Sequence, residues 1–190
     1  MLKKSITMLF TMFLALTFGT AAFASETEGY ETGLQLIEDT NAAIDAEIAK
    51  AVAAADALQS QYFTDIQSVE GSNVIVDLRE EQSSLEAQLL NETNEERAAA
   101  IRDELAQIET EVSNAEAVLS EESSFFAERT DAFNADLDRL INDLDVLTRE
   151  MTAQTIAKVA EYGITAECVW KHVKIAHRWV WIDPVQVVGH

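Results

Sequence analysis

Ile37, Asn41, Ile44, Ile48, Ala51, Ala55, Leu58 and Tyr62 follow one another at alternating spacings of four and three. That is a heptad seam, the signature of a helix laying one stripe against a neighbour. Asn41 is its polar member. A polar group on a seam fixes register at some cost in stability, whereas at a frayed helix start it would do nothing. Glu70-Gly71-Ser72-Asn73 breaks the stripe and reads as a turn, with Ser72 or Asn73 as the next N-cap.

From Val74 to Tyr162 the chain has neither Gly nor Pro. Val74, Leu78, Leu85 and Leu89 begin a second stripe, which turns polar over Asn91–Arg97, where Thr93 and Glu96 form a candidate capping box. The stripe resumes as Ile101, Leu105, Ile108, Val112, Ala115 and Leu119, then as Phe126, Thr130, Phe133, Leu137, Leu140, Leu144, Leu147 and Met151. Its spacing slips near Glu122–Thr130, either as a stutter in one helix or as a turn at Ser120–Ser123. Breaking there gives three helices of similar length, about 32–69, 74–120 and 122–162, which can bury their seams against one another. Gly163 reads as the C′ residue that ends the last one. The expected fold is mainly α. It is an elongated antiparallel helical hairpin or three-helix coiled coil over 34–163, with a small β-hairpin module at 164–190.

After Gly163 β-branched and aromatic residues take over, which is strand chemistry. With a turn at Ala176-His177, Ile175 opposes Arg178, Lys174 opposes Trp179, Val173 opposes Val180 and His172 opposes Trp181. One face then carries Val169, Val173, Ile175, Val180 and Ile182. The other carries Trp170, His172, Lys174, Trp179 and Trp181, an aromatic and basic strip. Neither Ala nor His is a favoured hairpin-turn residue, and a one-residue slip would exchange the faces of one strand. Asp183-Pro184 turns the chain, and Val185–Val188 is a candidate third strand. Residues 170–190 hold all three Trp, all three His and the single Pro of the protein.

The N-terminus sets the compartment. Met1-Leu2-Lys3-Lys4, an apolar run from Ile6 to Ala22 and Ala22-Phe23-Ala24 make a secretory signal with expected cleavage after Ala24. An uncleaved anchor is the alternative, but the run is near the lower limit for spanning a bilayer. Residues 25–33, acidic and holding two glycines, read as a flexible lead-in. The formal charge is −21, and losing Lys3 and Lys4 takes it to −23. Such a chain repels nucleic acid and anionic lipid, so neither is expected as a partner. Cys168, the one cysteine, cannot form an internal disulfide and is expected as a small buried hydrophobe, with an intermolecular link or ligation as alternatives.

Candidate chemistry adds little. Asp136, Asp138, Asp143 and Asp145 lack the Gly and the oxygen spacing of an EF-hand and alternate with helical leucines. Asn91-Glu92-Thr93 fits a glycosylation sequon but reads better as a helix junction. Cys168, His172, His177 and His190 match no zinc spacing. There is no nucleophile motif, phosphate loop, CxxC or HExxH. We therefore expect an exported, non-enzymatic protein without cofactor or metal, secreted or in the cell envelope and bacterial in the brevity of its signal. Its role is structural or interaction-based, through a protein partner or self-association of the coil. The alternative is a binding module in which Trp170, His172, Lys174, Trp179 and Trp181 recognise cell-wall glycan or protein. Because an isolated hairpin is barely stable, packing of the strip on its own bundle or a second copy is preferred to an exposed ligand strip.

Overall fold

A computed structural model describes residues 26–189; the signal segment lies outside them. The fold is mainly α with a C-terminal β-hairpin module. Its elements are helices α1 (Glu26–Ile66), α2 (Asn73–Leu89), α3 (Glu95–Glu122) and α4 (Ser124–Ala160), then strands β1 (Thr165–Cys168), β2 (Lys171–Ile175), β3 (Arg178–Ile182) and β4 (Val185–Gly189).

Two expectations about the helices are corrected. Residues 26–33 are not a flexible lead-in but the first turns of α1. Gly33 serves close packing: a Cβ there would lie 2.4 Å from Ile164 Cδ1 and 3.2 Å from Tyr162 Cδ2. The Gly- and Pro-free stretch also breaks twice, so the described residues form four helices and not three. At the first break the N-cap is Asn94, not the Thr93/Glu96 box. Its Oδ1 accepts from the Arg97 N–H at 3.0 Å, and its own N–H donates to Glu92 Oε1 at 2.8 Å. At the second, Ser123 alone leaves the helical region (φ −137°, ψ 107°). Its N–H still donates to Leu119 O at 2.9 Å and its Oγ accepts from the Phe126 N–H at 3.2 Å. One extended residue thus separates α3 from α4, with Leu119 and Phe126 on either side of it both in the core.

At the α1–α2 turn Ser72 is helical and does not cap α2. Its buried hydroxyl donates to Ile66 O at 2.8 Å and closes the C-terminus of α1. The C-terminus of α4 follows expectation. Gly163 has φ 75°, its N–H meets Ala160 O at 3.1 Å, and the Ile164 N–H meets Val159 O at 3.2 Å. This is a Schellman motif, and its C″ and C3 side chains, Ile164 and Val159, share a core cluster.

Helices α1 and α4 run antiparallel. Thr40 and Thr155 share a hydroxyl hydrogen bond of 2.8 Å near one end, Tyr62 and Thr130 one of 3.0 Å near the other. The α2–α3 hairpin lies over the half of this pair toward Ile66, and the strands lie over the other half. One core of Ile44, Ile48, Ala51, Ala55, Phe126, Phe133 and Leu137 continues from under α2–α3 into Val173, Ile175 and Ile182. A smaller cluster of Ile37, Val159, Ile164 and Val185 closes the far end.

The strands form one ribbon. Cys168 opposes Val185, Lys171 opposes Ile182 and Ile175 opposes Arg178, so one register runs from Ala166 to the β2–β3 turn, shifting only between Thr165 and Ala166. Between them the Val169 N–H donates to Pro184 O at 2.9 Å, while Pro184 has no N–H to return. At this interruption the ribbon turns over. Val173, Ile175 and Ile182 are inward on one side of it, and Val185 with the half-buried Ala166 and Val187 on the other, the opposite face by alternation. The expected register of β2 and β3 is observed, and Ala176 takes the turn with φ 54°. Strand β1 was not foreseen.

Candidate functional site

Alternation along β2 and β3 puts Trp170, His172, Lys174, Trp179 and Trp181 on the face opposite the aliphatic one, and the helices take the aliphatic face. The tryptophans therefore point outward: Trp170 is 61 % exposed, Trp181 54 % and Trp179 39 %. This corrects the preference for a strip packed on its own bundle. The hairpin docks, but by its other side.

The outward rings satisfy one another. His172 lies between Trp181 (centroids 4.3 Å, 20° between planes) and Trp179 (4.7 Å, 33°), and Trp170 meets Trp181 edge to face at 6.5 Å. Such cross-strand stacking stabilises a ribbon that has no further strand beside it among the described residues. It also occupies one face of Trp181 and one of Trp179.

Lys174 does not belong to the outward surface. Its ammonium turns to Glu86 of α2, whose other oxygen accepts from Trp179 Nε1 at 3.0 Å. Lys171 pairs with Asp45 of α1 at 2.6 Å. Arg178 pairs with Asp138 of α4 and donates to Asn134 Oδ1 at 2.8 Å. Each cation of the hairpin is thus matched by an acceptor on the helices. The slight local positive charge read from the sequence is cancelled, and the ladder sits on an acidic body.

The turn enters the helical core. His177, half-buried, tilts on Phe133 (5.7 Å, 37°) beside a void of about 10 Å³ that it shares with Gln59, Tyr62, Arg79 and Glu116. Burial first, then the charges of Arg79, Arg178 and Lys174, push its pKa down to about 3. Burial also raises the Tyr62 phenol and the Glu116 carboxyl. Arg79 is itself buried, held by Gln82 at 2.8 Å and Glu109 at 2.6 Å.

The residues that seat the hairpin were missed by the apolar stripe. Helix α2 turns Ile75, Arg79, Gln82 and Glu86 inward, spaced four, three and four, while the expected Val74 is 46 % exposed. The spacing was a signal; the polarity hid it. Cys168 is exposed, contrary to the expectation of burial. Partial desolvation and the neighbouring Asp183 raise its thiol pKa, which keeps it protonated rather than nucleophilic.

Among the described residues no group of three or more His, Cys, Asp or Glu is placed to hold a metal; His190 lies outside them. A concavity of about 580 Å³ opens over the α1–α2 turn beside Phe63, Val69 and Val76, remote from the ladder. Its titratable lining residues, Glu70 and Asp77, are both acidic. No family model, curated protein or solved structure matches the chain.

Proposed function

We propose that this is an exported, non-enzymatic protein of the cell envelope or extracellular space that works by contact, with the helices as a support for the ladder Trp170–His172–Trp179–Trp181. The observation that carries this reading is the outward stand of all three tryptophans on a ribbon whose other face and whose cations are already engaged. Exposed Trp is the side chain most often found at the energetic centre of protein interfaces. A partner protein with an apolar groove and a basic rim suits the ladder better than a glycan. Sugar stacking needs open ring faces, and here His172 takes one face each of Trp179 and Trp181. The coil is the weaker candidate for self-association, because its seams are filled within the chain.

The test is retention of residues 25–190 on envelope preparations of the source organism, against the double variant Trp170→Ala/Trp181→Ala. Retention by the natural chain and its loss in the variant, with unchanged helical circular dichroism, supports the reading. Equal retention of both chains overturns it. Protease treatment of the envelopes abolishes binding to a protein and spares binding to a glycan.

A further inference from the structure

We infer that the Asp183–Pro184 peptide bond is a site of self-cleavage, broken by the Asp183 carboxyl with help from the Thr152 hydroxyl, which frees Pro184–His190 as a peptide. This goes beyond the contact role of the ladder and does not rest on it. It happens once in each chain and needs no bound substrate.

The sequence supplies the weak point. An X–Pro bond is a tertiary amide, and its nitrogen leaves as a secondary amine. An Asp on the acyl side carries a carboxyl that reaches its own carbonyl carbon through a five-membered ring. The chain has one Pro and therefore one such bond.

The fold adds to this. The bond lies at the interruption between β3 and β4, and there the Asp183 carbonyl accepts from the Thr152 hydroxyl of α4. That donor polarises the carbonyl and stabilises the oxyanion that forms on attack. Beyond the bond, the Pro184 carbonyl is fixed by the Val169 N–H at 2.9 Å. Asp183 is only 6 % exposed, and its Oδ1 is buried without a hydrogen-bond partner among the described residues. An oxygen so placed is costly to keep ionised and is not tied away from the carbonyl carbon. Nucleophile and carbonyl already share one residue, so little entropy is lost on the way to attack.

One group opposes the step. Arg149 Nε lies 3.5 Å from Asp183 Oδ2 and 2.9 Å from Asp145 Oδ1. A guanidinium favours the ionised carboxyl, which has no proton to give to a leaving nitrogen. The other neighbours are the protonated Cys168 thiol of β1, with Glu167 before it, and the neutral Asn41 of α1, which binds the Val185 backbone. The bond is therefore held back at neutral pH and breaks faster in acid.

In the step itself Oδ1 of the protonated carboxyl attacks the Asp183 carbonyl carbon. The carboxyl proton passes to the Pro184 nitrogen as the C–N bond breaks. Asp183 becomes a cyclic anhydride and Pro184 a secondary amine. Solvent protonates the amine, which then cannot attack back. Water opens the anhydride and leaves Asp183 as the new C-terminus with both of its carboxyls. The released strand stays paired with β1 and Asn41 until it dissociates.

The experiment incubates residues 25–190 at pH 7 and pH 5, folded or unfolded in guanidinium chloride, and follows intact mass. We expect two products, one ending at Asp183 and one beginning at Pro184, formed faster at pH 5 and at a rate independent of chain concentration. The folded chain should cleave at least about tenfold faster than the unfolded one; this comparison needs no variant. Thr152→Val should fall toward the unfolded rate, and Arg149→Met, at a largely exposed side chain, should cleave faster at pH 7. Cleavage no faster in the folded chain overturns the proposal. So does a rate that grows with chain concentration, as a contaminating protease would give, or cleavage that survives in Asp183→Ala.

Discussion

Asn41 joins α1 to the ribbon by two hydrogen bonds at once. Its Nδ2 donates to Val185 O and its Oδ1 accepts from the Val185 N–H, both at 2.9 Å. The side-chain amide imitates one more strand residue and closes the β4 edge at Val185, a residue 3 % exposed. Asn41→Ala leaves a buried N–H and C=O without partners, so we expect a loss of about 1–3 kcal/mol in urea unfolding. Asn41→Asp keeps an acceptor for the N–H but sets a carboxylate against a carbonyl oxygen, and should not rescue. Both readings of Asn41 from the sequence concerned helices; its real partner, 144 residues away, is a backbone that no side-chain pattern reveals. Two glycines separate two further mechanisms. Gly163→Ala meets open space but must hold φ 75°, at a cost of about 1–2 kcal/mol. Gly33→Ala gains about 1 kcal/mol of helix propensity but forces Ile164 and Tyr162 aside, an overpacking of about 1–3 kcal/mol. We expect a net loss at both positions, with exchange of the β1 amides accelerated in the second because Ile164 leads into β1.

Among the elements, the apolar pattern located α1 and the leucine-rich part of α4 because their inward faces really are apolar. It failed where the inward face is polar for a reason. On α2 the stripe holds Arg79, Gln82 and Glu86 because they seat a charged hairpin. Toward the C-terminal end of α4, Thr148, Thr152 and Thr155 replace Leu147 and Met151 as the buried positions. They lie where the ribbon brings its backbone, and Thr152 donates to the Asp183 carbonyl. Strand β1 escaped notice because the ribbon turns over at Pro184, so its inward parity disagrees with that of β2. The hairpin register was legible because aliphatic residues alternate with aromatic ones on β3 and with His172 and Lys174 on β2.

The same interlocking predicts what truncation does. A chain ending at Gly163 uncovers the α1–α4 surface that buries Val173, Ile175, Ile182 and Val185. At about 1.5–3 kcal/mol for each side chain, roughly 6–12 kcal/mol of gross burial is lost, comparable with a whole domain's stability. Unfolding followed by circular dichroism should lose its single cooperative step, with the end of the pair near Ile37 melting first. A truncated chain that still unfolds in one step at the original urea midpoint would show the ribbon to be an appendage.

At the scale of the whole molecule the dominant quantity is the formal charge of −21, spread over helix faces that carry few cations. The ladder stands in that field, and its nearest cations are matched by Asp45, Glu86 and Asp138. Collisional quenching measures the consequence. Iodide and caesium reach the same exposed indoles but feel opposite potentials, and neutral acrylamide reports exposure alone. Relative to a free tryptophan derivative, caesium should quench better than iodide at low ionic strength. The two should converge as added salt shortens the screening length from about 30 Å at 0.01 M to about 3 Å at 1 M. Strong acrylamide quenching with this asymmetry is what an exposed ladder in a negative field requires, and it is the field that would draw a basic-rimmed partner and raise its association rate. Strong quenching by iodide at low salt would instead mean that Lys171, Lys174 or Arg178 has left its carboxylate. The ladder would then be a basic aromatic surface in solution, suited to an anionic ligand, and the assignment of a basic-rimmed partner would fall with that result.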